Sequence, residues 1–363
     1  MIHKAPETMT AKERVRRTFA GERTDRVPVD YSANPGIHSR LRKALGARDD
    51  EQVLAALGVD YRPVTAPYVG PLLFPEIEGC RVDPVSGCYT RWVANESGGY
   101  DDFCHFPLQG ADPERIAAHP VPDPGHFDVG AALTALGRYP DHALYVGNAG
   151  MADVINSLGR IMGMEDALVN LATGDEATLG LVTRKADMEI GVLDRILARA
   201  RGAVDFLWIG EDLGTQIAPM ISLEMYRRTL RPVHERYVAL AKAYDIPVMV
   251  HTCGSSSWAY EDFIEMGVGA VDTLQPEAVG MAPVSLKRRF GGRLSFHGCI
   301  STAGVLASGT PDQVREEVRR TLAVMMPGGG YQFAPTHMIQ DNTPVENVLA
   351  MYQAAHDMGR YPD

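Results

Sequence analysis

IPVMVHTC, residues 246–253, is an apolar run that stops abruptly at a histidine, a threonine and a cysteine, with Gly254, Ser255 and Ser256 after it. A short run that is apolar throughout, rather than alternating, fits a strand covered on both faces, as in a parallel sheet wrapped by helices. Its neighbours agree, because residues 222–244 and 256–266 carry helical patterns on either side. The same unit recurs along the chain. ALYVGNAG (143–150) leads into helical stretches to about residue 202, and DFLWIGED (205–212) precedes the helix at 222–244. AVDTLQ (270–275), RLSFHGC (293–299) and GYQFAPTH (330–337) precede helices at 282–290, 311–326 and 344–358. Two earlier short strands lie in DRVPVDYSANPG (25–36) and YRPVTAP (61–67), with residues 37–58 helical between them.

Alternation of strand and helix with short connections is the signature of parallel βαβ units. About eight such strands predict an α/β fold, a (β/α)8 TIM barrel, filling residues 1–363 as one domain behind N-terminal helices. A doubly wound open sheet is disfavoured, because no Gly-rich dinucleotide fingerprint follows the first strand. Helix starts are marked by Thr10 with Glu13 in the capping-box position, by Ser222, by Thr310-Pro311 and by Thr343-Pro344. Residues 69–129 differ. They are rich in Gly, Pro and aromatics, and read as hairpins and irregular loop, an elaboration on the barrel.

The 363 residues are 45% hydrophobic and 22% charged, with a net charge of -11. That acidic balance argues against nucleic acid as the main partner. The first residues lack the apolar core of a signal peptide, and no apolar run is long enough to span a bilayer, so the cytoplasm is the default compartment and no membrane partner is expected. Five cysteines, an odd number in a large chain, argue against a disulfide framework. Cys80, Cys88 and Cys104 fall in the irregular region without a zinc spacing and read as filler.

In a barrel, chemistry sits at the C-terminal ends of the strands. Those ends carry Asn34, Asn148, Glu211-Asp212, His251 and Cys253, Gln275, His297 and Cys299, and His337. On a strand, residues two apart share a face, so His251 and Cys253 can reach one zinc ion. Candidates for a third ligand are His337, Cys299, His297 and Glu211. The plainer alternatives are a free thiol beside a hydrogen-bonded histidine, or Cys253 acting as a nucleophile with a histidine base. Glu211 and Asp212 point opposite ways if the strand continues, so one faces the centre, as ligand, general acid or hydrogen-bond acceptor.

Several stretches resemble the uroporphyrinogen decarboxylase superfamily, on its methyltransferase side. They include TAKERVRRTFAGERTDRVPVDY, EDLGTQIAPMISLEMYRRTLRPVHERYVALAKAYDIPVMVHTCGS, GVGAVDTLQPEAVGM, LKRRFGGRLSFHGCIST and PGGGYQFAPTHMIQDNTPVENVLAMYQAA. The similarity covers nearly the whole chain and is strongest from 205 to 361. It implies a (β/α)8 barrel. Decarboxylases of the superfamily need no metal and bind an eight-carboxylate substrate through arginines near the first strand. Here that region, DYSANPGIHSR, has no arginine immediately after the strand. The methyltransferases move methyl groups between methoxylated or methylated compounds, or thiols, and a corrinoid, and their H-x-C matches His251 and Cys253, implying zinc. Thiol-methylating members bring another cysteine from the last strand region, where APTHMIQ offers His337.

The expectation is therefore a zinc-dependent methyltransferase that takes a methyl group from a small-molecule donor to a corrinoid (cobalamin). Zinc is held by His251, Cys253 and a third ligand, His337 or Glu211. Glu211 and Asp212 are the acid–base candidates. Asn148, Gln216, Gln275, His297, Cys299 and Tyr331 are the substrate-binding candidates. No D-x-H-x-x-G cobalamin motif is present, so the corrinoid belongs on a separate partner protein or binds transiently. A homodimer is left open. The alternatives are a metal-free decarboxylase of a porphyrinogen-like or smaller acid, and a barrel that binds a tetrapyrrole without turnover.

Overall fold

The computed structural model describes residues 2–362. Among the described residues ten strands are present: β1 (Tyr61–Pro63), β2 (Arg81–Val82), β3 (Tyr89–Asn95), β4 (Gly98–His105), β5 (Ala143–Gly147), β6 (Phe206–Gly210), β7 (Val248–His251), β8 (Ala270–Leu274), β9 (Ser295–Ile300) and β10 (Tyr331–Pro335). Seven of them form one parallel sheet in the order β1-β5-β6-β7-β8-β9-β10. Each is followed by helical segments, among them Glu176–Ala200, Arg231–Ala243, Pro283–Phe290, Pro311–Met325 and Val345–Met358. The sheet is curled, and its edge strands β1 and β10 approach each other across the segment 27–31.

That segment is the expected eighth strand, and it forms no strand of its own. Val29 makes a single parallel bridge to Phe333, with Asp30 N donating to Phe333 O at 2.9 Å and Phe333 N to Pro28 O at 2.8 Å. Toward β1 it accepts one bond, from Asp60 N to Val29 O at 2.9 Å. The reason lies in two residues. Pro28 has no N–H to give, and Val29 N donates to the Asp60 carboxylate at 2.7 Å instead of to a β1 carbonyl. The same carboxylate, 1% exposed, receives Arg14 Nη1 at 2.6 Å and Arg26 Nη1 at 2.7 Å. A buried ion cluster thus stands where ladder bonds would close the ring.

Inside the curl the side chains follow the two-residue period of a strand. Phe206 and Trp208 of β6 point inward, and Leu207 and Ile209 pack outward against helices, where both are at most 1% exposed. Tyr145 stacks on Phe206 at a centroid distance of 5.1 Å, Tyr61 meets Phe206 edge-on at 6.0 Å, and the Tyr61 hydroxyl donates to Gln332 Oε1 at 2.6 Å. This aromatic layer closes the bottom of the interior and leaves the C-terminal strand ends open.

Within residues 69–129 lie a three-stranded antiparallel sheet, β2-β3-β4, and a short helix at Pro113–Ala117 in place of pure loop. Two cysteines of this stretch, Cys80 and Cys104, lie side by side as free thiols. The caps at Thr10, Ser222 and Thr310 form as expected, the last with a reciprocal Gln313 box. Thr343 does not cap. Pro344 occupies the cap position with no side-chain bond, and Thr343 is buried. The helix expected at 222–244 is interrupted by a π-helical turn over Tyr226–Leu230, because Pro232 lacks the N–H that a regular turn requires there. Among the described residues no helix is long and apolar enough to cross a membrane.

A candidate metal centre at the C-terminal strand ends

His251 is the last residue of β7, and Cys253 follows two positions on, so both side chains face the interior. Cys253 Sγ lies 3.4 Å from His251 Nε2. His337, two residues beyond β10, comes round the curl to join them, and one ligand atom from each of the three lies within 4.8 Å of the others. Zinc bonds of about 2.0–2.3 Å place tetrahedral donors roughly 3.5 Å apart, so the sulfur–nitrogen spacing suits that ion.

The ring of His251 is oriented from behind. Its Nδ1 lies 2.7 Å from Asp272 Oδ2 and 2.6 Å from Thr273 Oγ1. An ionised carboxylate only accepts, so Nδ1 carries the proton and Nε2 is the free donor atom facing Cys253. A carboxylate behind a ligating imidazole is the usual support of a metal-bound histidine. The other oxygen of Asp272 sits 2.7 Å from His297 Nδ1, and His297 Nε2 sits 3.1 Å from Asp30 Oδ2. Burial opposes charge on His297, but Asp272 and then Asp30 outweigh it and raise its pKa to about 10. The imidazolium therefore balances part of the buried negative charge. Burial also works against the Asp272 carboxylate, yet His297 and His251 hold it well below the usual range.

On the other side, Asp212 Oδ1 accepts from Cys253 N at 2.9 Å and Oδ2 accepts from Asn156 Nδ2 at 2.9 Å. Burial and the neighbouring Asp212 push the Cys253 thiol up, a situation a bound cation reverses, since a coordinating thiol is deprotonated. The glycine after Cys253 has a steric purpose. Gly254 has φ +67°, and a Cβ there would lie 2.3 Å from Gly214 O. The HTCGSS and EDLGTQ loops pass backbone to backbone, and Ser255 N donates to Thr215 O at 2.8 Å.

His251 and His337 open onto a cavity of about 240 Å³ that holds Asp30, Tyr31, Asn148, Trp208, His297 and Met338 among its lining residues. Among the described residues no Lys or Arg lines it.

The structure separates the other sequence candidates. Asn148 and His297 line the cavity, and Asp212 braces Cys253. Gln275 and Gln216 pair with each other at 3.4 Å outside the cavity wall, and Gln275 Oε1 accepts from Gly254 N at 2.6 Å, which makes them loop staples. Glu211 is not a third ligand or an acid in the cavity. It points outward, where its carboxylate accepts Val154 N at 2.9 Å and Ile155 N at 3.0 Å at the start of the helix Val154–Met162. Cys299 does not line the cavity either. Its φ of +74° after Gly298 breaks the alternation of β9, and the side chain is buried outside the cavity lining. Tyr331 likewise faces away from the cavity, with its hydroxyl donating to Gly298 O at 2.7 Å. Asp272, which carries the second layer of the site, was missed by inspection of strand ends because it lies inside β8. A lone carboxylate within an apolar strand was the available signal.

The family model described as Uroporphyrinogen decarboxylase (URO-D) matches residues 163–358. The chain belongs to the uroporphyrinogen decarboxylase family. It is similar to a uroporphyrinogen decarboxylase of Legionella pneumophila (strain Corby), 26% identical over 192 residues, which are 53% of this chain and 51% of that one. A second, from Nitrosospira multiformis, is 31% identical over 115 residues, 32% of this chain and 30% of the relative. The chain thus spans about half the length, or less, of the curated relatives it matches. In fold it is similar to a methyltransferase from Methanosarcina mazei, with a TM-score of 0.66, 17% identity, and coverage of 96% of this chain and 99% of that one.

Proposed function

We propose that the chain is a zinc-dependent methyltransferase that removes a methyl group from a methoxylated or methylated small molecule and delivers it to a corrinoid on a separate cytoplasmic partner protein. The observation that carries this reading is the His251–Cys253–His337 cluster, with Asp272 holding His251 so that Nε2 is free. In the same reading, residues 27–31 serve as the eighth element of a closed (β/α)8 barrel, which puts the cluster at the face where such folds carry their chemistry.

Each residue has a task. His251, Cys253 and His337 would hold zinc. When bound, that ion supplies Lewis-acid polarisation of the heteroatom that carries the methyl group. Asp272 keeps His251 in one tautomer, and Asp212 holds the Cys253 backbone in place. His297, protonated between Asp272 and Asp30, offsets the charge that Asp272 carries beside the cavity. Trp208 and Tyr31 exclude water from the space where the donor sits.

The family's own name points to the alternative of decarboxylation of a polycarboxylate. The cavity speaks against it, because among the described residues two carboxylates and no Lys or Arg line the space such a substrate would fill. Metal content by mass spectrometry separates the readings. Wild-type protein is expected to carry near-stoichiometric zinc, and Cys253→Ala to lose it. Zinc absent from carefully prepared wild-type protein overturns the proposal.

A further inference from the structure

A second cavity, of about 280 Å³, lies behind the 147–151 loop and shares Asn148 and Gly150 with the first. Val64 and Ala66 after β1, Phe127 from the elaboration, and Met188, Val192 and Ile196 of the helix Glu176–Ala200 supply most of its wall. Val64, Met188, Val192 and Ile196 are each at most 7% exposed. The charged group of that wall, Glu189, has its Oε2 occupied by the Tyr237 hydroxyl at 2.6 Å and Ala152 N at 3.0 Å. In the loop between the two spaces Gly147, Ala149 and Gly150 are small, and the loop packs backbone to backbone against β6. At Gly147 (φ +86°) a Cβ would lie 2.1 Å from Trp208 O, and at Gly210 a Cβ would lie 1.9 Å from Ala149 O. Apolar cavities of about 150 Å³ stay dry and accept a benzene-sized guest, so the larger space here takes a ring or a short alkyl chain.

We infer that this chamber is a subsite for the apolar part of the substrate. The methyl donor is then an elongated molecule, with the methylated heteroatom at the His251–Cys253–His337 cluster and a hydrocarbon group passing Asn148 into the chamber. The inference rests on the methyltransferase reading for which end reacts, but not for the affinity of the chamber. A small, fully polar methyl donor would leave the chamber empty and is the wrong class.

The test uses 4-methyl-, 4-propyl- and 4-pentylanisole as probes, titrated calorimetrically into the full-length protein. Affinity is expected to rise by about fourfold for each methylene that enters the chamber. Ala66→Phe, which fills the chamber from a loop position, is expected to flatten that rise while leaving 4-methylanisole unaffected. Val192→Asn, which makes the wall polar without enlarging it, is the second variant, and thermal melting reports whether each is folded. The Cys253→Ala protein is expected to keep the chain-length dependence, because the chamber needs no metal. A flat series in wild-type protein, or a rise that survives both folded variants, overturns the subsite. Zinc-free wild-type protein with an intact chain-length dependence overturns the zinc reading and leaves the chamber standing.

Discussion

His251 and Cys253 were legible in the sequence because the period of a strand puts positions i and i+2 on one face, whatever the rest of the molecule does. His337 was legible as the polar end of the last strand, but nothing local says that it reaches the same point in space. Asp272 is the residue on which the site turns, since one carboxylate orients His251 at 2.7 Å and His297 at 2.7 Å. Replacement by Asn would keep the shape and remove the charge. Asp272→Asn is expected to weaken zinc binding by about 10–100-fold, as loss of such a supporting carboxylate does elsewhere. Competition against a chromophoric chelator measures this, and an unchanged affinity would show that Asp272 is only packing.

The adjacent carboxylates of Glu211 and Asp212 show what an element decides. One must face in and one out, but β6 is apolar on both faces, so hydrophobicity carries no information about which is which. The helix Val154–Met162 resolves it, because its N-terminal N–H groups take Glu211 as a cap and leave Asp212 to the interior. Burial pushes the Glu211 carboxyl up to about 8, against the pull of its backbone donors. His234, 3.3 Å away, is lowered to about 4 by burial, so it partners Glu211 as a neutral ring. The linkage sign follows. Between the ordinary carboxyl range and about pH 8 the folded state keeps a proton that the unfolded chain has lost, so stability falls as pH rises through that window. Glu211→Gln is expected to flatten this part of the stability profile, read from urea midpoints between pH 5 and pH 8. A slope that persists in the variant would assign it to another group, with Asp153, also raised to about 8 by burial, as the next to replace.

For the molecule as a whole, the join between β1 and β10 rests on one buried carboxylate. Asp60 there accepts from Val29 N, Arg14 and Arg26 at once. Asp60→Ala would leave two guanidiniums, 0% and 2% exposed, short of a partner. Breaking a buried pair by removing one member costs about 3–5 kcal/mol, and equilibrium urea unfolding is expected to show a loss of that size. A loss under about 1 kcal/mol would mean that Asp25 and Glu7 take over the two arginines.

The repeating strand–helix order, the seven parallel strands, the elaboration at 69–129 and the ends that carry polar residues all follow from local pattern, because period and turn chemistry are properties of a few consecutive residues. The assembly of His251, Cys253 and His337 into one cluster, the outward turn of Glu211, and the replacement of an eighth strand by the Asp60 ion cluster do not. Each depends on residues that meet across distances along the chain running from 31 positions, between Val29 and Asp60, to the 86 that separate His251 from His337 (337 − 251), or on which face of a doubly covered strand points inward. Hydrophobic pattern is silent on both, and packing against the helices settles them.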